Sequence, residues 1–110
     1  MTLGQFSEPA LLMPSLPRDG QEAVIRELTR RLESTSRIQN AGKFLESALA
    51  CEKQQPMFVG KGVVVPHVRS GEVLQLSVAV GLSGEGVPWG KNGTARVVVF
   101  FAVPLSEAGI

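Results

Sequence analysis

Apolar residues recur along this chain with two different periods, and the change from one to the other divides it. Between Gln21 and Glu33, Val24, Leu28 and Leu32 stand four apart with Ile25 alongside, which predicts an amphipathic helix with one buried stripe. Asp19, with Glu22 three residues on, has the spacing of a capping box at its start, and the polar run Ser34-Thr35-Ser36 marks its end. Asn40 can cap a second helix, about Ala41 to Glu52, whose buried stripe would be Phe44, Leu45, Ala48 and Leu49. Gln54-Gln55-Pro56 then stops it.

Beyond Pro56 the period falls to two. Leu74, Leu76, Val78, Val80 and Leu82 alternate with Gln75, Ser77, Ala79, Gly81 and Ser83, which predicts a strand over Val73 to Leu82. One face should lie in the core, and the other is small or polar. Gly84 to Gly90 reads as a loop by composition, with Trp89 packed over the sheet rather than stacking on a ligand. Ala95 to Val103 is nearly continuous in apolar residues, as expected of a strand buried on both faces at a sheet centre. Pro104 closes it, and Ser106-Glu107-Ala108 looks like a helix start. Ahead of the first helix, Pro9, Pro14 and Pro17 limit Ala10 to Met13 to a short or edge strand. The fold class that follows is α/β (α+β), with a mixed central sheet flanked by helices.

Candidate chemistry gathers in Gly60-Lys61-Gly62-Val63-Val64-Val65-Pro66-His67-Val68-Arg69-Ser70-Gly71, which carries the only histidine. Gly60 and Gly62 allow backbone angles and close approaches that a side chain forbids, and Val63 to Val65 prefer the extended state. Pro66 removes an N–H and fixes φ, so the ladder should fail there. His67 is therefore expected where the strand stops, half-open to solvent, with one ring nitrogen free to act as a nucleophile. Arg69, two residues on, can pair with phosphate oxygens. Backbone N–H groups of Val68 to Gly71, in a turn, would add donors, and Lys61 is a remoter candidate.

Composition narrows the alternatives. A chain of 110 residues with 44% hydrophobic and 19% charged positions is expected to form one globular domain, residues 1–110. Eleven basic residues against ten acidic ones leave a net charge of +1, without the clustered basic footprint of a nucleic-acid binder. Arg26, Arg30 and Arg31 fall on a helix that also carries acids and read as a solvated face. Cys51 is the one cysteine, so an intramolecular disulfide is excluded; at a helix end it reads as a packed or half-exposed thiol. One histidine and one cysteine supply too few ligands for a transition-metal site, and the glycine-rich pieces lack the spacing of a nucleotide-binding loop, so neither metal nor cofactor is expected. No stretch has the roughly 18 apolar residues of a membrane span, and the start lacks the build of a signal peptide, so the expected location is cytoplasmic.

The run Gly-x-Gly-Val-Val-Val-Pro-His-Val-Arg resembles the active-site strand of mannitol/fructose-type enzyme IIA domains of the phosphoenolpyruvate-dependent sugar phosphotransferase system, including their nitrogen-regulatory relatives. The order of elements around it, two helices before and two strands after, is similar too. The resemblance implies that His67 accepts a phosphoryl group from an HPr-like phosphohistidine carrier protein and passes it to a cysteine of enzyme IIB, in sugar uptake or its regulation, with Arg69 on the phosphate. It also implies further helices after Ile110, hence a C-terminal truncation that could leave one flank of the central strand apolar and ready for self-association. Two features depart from the family pattern. Met57 and Phe58 stand where a small hydroxyl residue and glycine are usual, and the second active-site histidine that some members carry near the start of the later helix is not among these residues. The other reading is a regulatory or sensor domain of the same fold that binds a partner without phosphotransfer.

Overall fold

The computed structural model describes residues 11–54, 58–90 and 93–106. Met57 and the helix start at Glu107 and Ala108 lie outside the described residues. In chain order the elements are β1 (Leu12–Met13), α1 (Gln21–Ser34), α2 (Ala41–Gln54), β2 (Phe58–Gly60), β3 (Val63–Val64), β4 (His67–Ser70), β5 (Ser77–Pro88) and β6 (Thr94–Pro104). The six strands make one mixed sheet, ordered β1-β5-β6-β3-β2, with β4 also paired to β6. β6 is the centre, antiparallel to β5 and parallel to β3 and β4. β1 is the short edge strand that the prolines require, parallel to β5.

Both helices form where their stripes predict, and both pack on the same side of the sheet. Val24, Ile25, Leu28 and Leu32 of α1 and Phe44 and Ala48 of α2 are buried with Val64, Val68, Ala79, Val98, Phe100 and Ala102 in one core. Phe44 meets Phe100 at 6.1 Å between ring centroids, tilted by 60°. Each large side chain so buried contributes about 1.5–3 kcal/mol. Trp89 is fully enclosed in the same core, as its packing role predicts.

The helix ends answer the capping expectations differently. Asn40 caps α2 as read, its Oδ1 accepting from the Lys43 N–H at 3.2 Å. Asp19 does not cap α1. Gly20 is the N-cap, without a side-chain bond, and the Glu22 carboxylate accepts instead from Arg26, one turn on, at 3.0 Å. The basic cluster is a solvated face held by acids: Arg30 and Arg31 both pair with Glu27. Partial burial pushes the Glu27 carboxyl up, but the hydrogen bonds and charges of Arg30 and Arg31 outweigh it and leave it below the ordinary carboxylate value.

The largest correction concerns β5. It begins at Ser77 rather than Val73, because Val73 and Leu74 are drawn to the linker between the helices: Val73 bridges Ile38, and the Leu74 N–H donates to the Arg37 carbonyl at 2.9 Å. It then runs through the predicted loop to Pro88. The register on β6 shifts between Leu82 and Val87, a bulge holding Gly84 and Gly86 in which the Gly86 N–H donates to Ser83 Oγ at 3.0 Å. The faces are also inverted relative to the expectation that large residues seek the core. Ser77, Ala79, Gly81 and Ser83 lie beneath the helices and the β1–α1 segment, whereas Leu82 is 46% exposed and Val80 half-buried on the opposite face.

Close approach explains the inversion at Gly81. The buried Leu16 side chain lies directly on it, held by a bond from the Leu16 N–H to the Leu82 carbonyl at 2.8 Å, and a Cβ at Gly81 would overlap the Leu16 Cγ and Cδ atoms. Gly81→Ala should therefore destabilise the domain by about 1–3 kcal/mol through overpacking, read as a lower urea midpoint with unchanged slope. An unshifted midpoint would show that Leu16 turns aside without cost.

Candidate functional site

β3 and β4 are two pieces of one line. Val63 and Val64 pair with Val97 and Val98, and His67 to Ser70 pair with Phe101 to Pro104, so the offset is 97 − 63 = 34 in the first piece and 101 − 67 = 34 in the second. Pro66 interrupts the strand without shifting it, because it still has a carbonyl to offer: the Phe101 N–H donates to it at 2.8 Å. Upstream, Gly62 takes φ +75° at the β2–β3 turn, and its carbonyl accepts the N–H groups of both Arg96 and Val97.

His67 thus opens a strand instead of standing where one ends, which corrects the sequence expectation. Its accessibility is as expected: the residue is half-buried. Alternation along the line puts Val63, Val65, His67 and Arg69 on the open face and Val64, Pro66, Val68 and Ser70 on the helix-covered one, and the burial of each follows. His67 and Arg69 therefore share a face, with about 7 Å of strand between their Cα atoms. Arg69 is exposed.

Besides the pairing of β4 with β6, His67 makes a ring contact and a carbonyl contact among the described residues that were not singled out from the sequence. Its ring stacks on Phe101, with centroids 4.9 Å apart and planes within 5°. Its backbone carbonyl accepts a hydrogen bond from Cys51 Sγ of α2 at 3.4 Å. Cys51 is the half-exposed thiol that its helix-end position suggested, but its partner sits 16 residues on, beyond any local pattern.

The other expectations separate. Val68 to Ser70 are in β4, so the predicted turn of phosphate donors begins only at Ser70. There the Val73 N–H donates to the Ser70 carbonyl at 3.2 Å and the Glu72 N–H to Ser70 Oγ at 3.0 Å, bonds that close the turn without using any of the N–H groups of Val68 to Gly71. Lys61 is exposed at the far end of the β3–β4 line, on the order of 15–20 Å from His67, and the fold does not bring it to the imidazole.

The family model described as "Phosphoenolpyruvate-dependent sugar phosphotransferase system, EIIA 2" matches residues 14–109. The chain belongs to this family. Among curated relatives, the PTS system 2-O-alpha-mannosyl-D-glycerate-specific EIIABC component of Escherichia coli K12 is 35% identical over 92 residues. That match covers 81% of this chain but only 14% of the relative, so the chain spans a small part of that protein. Among solved structures, the nitrogen regulatory protein IIA-Ntr of Neisseria meningitidis superimposes with a TM-score of 0.81 at 20% identity, covering 96% of this chain and 73% of that one. The complex of enzyme IIAMTL and phosphorylated enzyme IIBMTL from Escherichia coli gives 0.75 at 21% identity, covering 91% and 72%. These likenesses establish the type 2 EIIA fold for this chain.

Within that fold the Cys51 bond is open to a direct check. Removing the thiol leaves the edge carbonyl of His67 without this donor, so Cys51→Ala should lower stability by about 0.5–1 kcal/mol, the range for a weak neutral hydrogen bond. Cys51→Ser keeps a donor and should retain most of it. Equal urea midpoints for the alanine variant and the parent would remove the bond from the account.

Proposed function

We propose that this EIIA domain is a phosphocarrier: His67 accepts a phosphoryl group from an HPr-like phosphohistidine carrier protein and passes it to the cysteine of an enzyme IIB, in sugar uptake or its regulation. The observation that carries the reading is the shared face of His67 and Arg69. A half-exposed nucleophile and an exposed guanidinium stand two residues apart on a strand pinned to the centre of the sheet.

Phosphoryl transfer asks little covalent work of the protein. It needs an in-line nucleophile and charge around the three equatorial oxygens. In the first step the lone pair of a neutral His67 nitrogen forms an N–P bond as the donor's P–N bond breaks, and the leaving imidazole takes that electron pair. In the second, a thiolate forms an S–P bond and His67 leaves with the N–P pair. No net proton is required in either step. Arg69 would pair with the equatorial oxygens, where a guanidinium matches two at once. The solved complex with phosphorylated enzyme IIBMTL supports the choice of acceptor. Among the described residues no helix is long and apolar enough to cross a membrane, in keeping with a carrier that meets its partners in the cytoplasm.

Incubation with phosphoenolpyruvate, enzyme I and the carrier protein should place an acid-labile, base-stable label on the wild type and none on His67→Ala. A wild type that stays unlabelled, with the partners active on a control, would instead support a sensor of the same fold. Arg69→Ala should fold normally and take up label about 10- to 100-fold more slowly, the equivalent of one lost charge-assisted pair, while Arg69→Lys falls between. Labelling of Arg69→Ala at the parental rate would take the guanidinium out of the site.

A further inference from the structure

We propose that Phe101 is a positioning residue for His67: its ring is the platform that sets the plane of the imidazole, and so the direction from which phosphorus must arrive. The proposal rests on His67 being the phosphoryl acceptor and adds to that reading a residue 34 positions away.

The platform follows from register. His67 and Phe101 are Cα partners on neighbouring parallel strands, and the Phe101 N–H is bonded to the carbonyl of Pro66, the residue immediately before the histidine. Side chains of aligned residues leave their strands side by side at the interstrand spacing of about 4.8 Å. The ring centroids are 4.9 Å apart with planes within 5°, so the two rings extend that spacing outward as an offset stack. Phe101 is itself only half-buried, since the neighbouring Phe100 is the one enclosed beneath the helices. Its ring therefore has a free hydrophobic surface to offer, and what rests on it is the histidine.

Two consequences bear on transfer. The last torsion of a histidine side chain is broad, so an unsupported imidazole sweeps the lone pair of its unprotonated nitrogen through a wide arc. That lone pair lies in the ring plane. With that plane held parallel to Phe101, the N–P bond must form along a line parallel to the phenyl face, which restricts the approach of the donor and aligns the in-line displacement. Furthermore, as the neutral nitrogen attacks, positive charge develops on the imidazole ring, and the π face of Phe101, within 6 Å, attracts it. The phenyl ring takes no part in bond making.

A purely structural role, filling the open face of the sheet, predicts a different outcome from replacement, and the full chain allows the two to be told apart. With a single histidine, its ring protons are unambiguous by NMR. They should be displaced upfield by the phenyl ring current in the wild type and return towards free imidazole positions in Phe101→Leu. Phe101→Leu should also take up phosphoryl label about three- to tenfold more slowly at unchanged extent, and Phe101→Tyr should label at about the parental rate, since the ring rather than its volume is what matters. If Phe101→Leu folds poorly, Phe101→Met supplies an unringed side chain of adaptable shape for the same comparison. Unmoved histidine protons, or labelling of the folded Leu or Met variant at the parental rate, would overturn the proposal. A wild type with displaced protons but no label would retain the platform and refute the phosphocarrier reading.

Discussion

The bond from the Phe101 N–H to the Pro66 carbonyl, 2.8 Å long, carries the line of strand across the one residue that cannot donate. Proline removes a ladder donor, and in a sheet it usually ends a strand or marks an edge. Here the ladder needs from residue 66 only an acceptor. The offset on β6 therefore survives the break, and the side chains beyond it keep their alternation. Had the register slipped by one residue, His67 and Arg69 would have turned under the helices and Val68 and Ser70 outward. The chemistry of the open face thus depends on pairing in the backbone.

The sheet also sorts its two faces in an unusual way. On β5 the face beneath the helices and the β1–α1 segment is made of Ser77, Ala79, Gly81 and Ser83, whereas β6 contributes the large Val98 and Phe100 to that side. Small residues in one strand let Leu16 lie flat on the sheet, and their neighbours supply the bulk that fills the core. The larger side chains of β5 are left to the other face, with Leu82 and Val80 beside Val97, Val99 and Phe101. His67 stands at the end of that apolar surface, and its stack with Phe101 is part of it.

Around the histidine the fixed contacts come from different parts of the chain. α2 reaches its carbonyl through Cys51, β6 its ring through Phe101, and β4 places Arg69 on the same side. The backbone and the ring plane of His67 are thus both constrained, while the residue stays half-exposed. Such preorganisation would serve the transfer proposed above, because an acceptor that meets two partners must present itself in the same way to each.

Much of this was legible in the chain itself wherever the deciding interactions are local. The stripes of α1 and α2, the Asn40 cap and the central place of β6 follow from periods and propensities within a dozen residues. The common strand face of His67 and Arg69 does not, since the segment after Pro66 read as an exit and a turn and is extended only because it pairs with β6. Asp19 failed as a cap because the helix starts one residue later, with Gly20 at the N-cap, and β5 was misjudged because its start is captured by the helix linker and its faces are allotted by Leu16. Those outcomes depend on which surfaces meet. His67 was thus singled out as the candidate by sequence, whereas the ring it leans on and the thiol that holds its carbonyl were set only by tertiary structure. The register between β4 and β6 joins residues 34 apart, and no local pattern encodes that pairing.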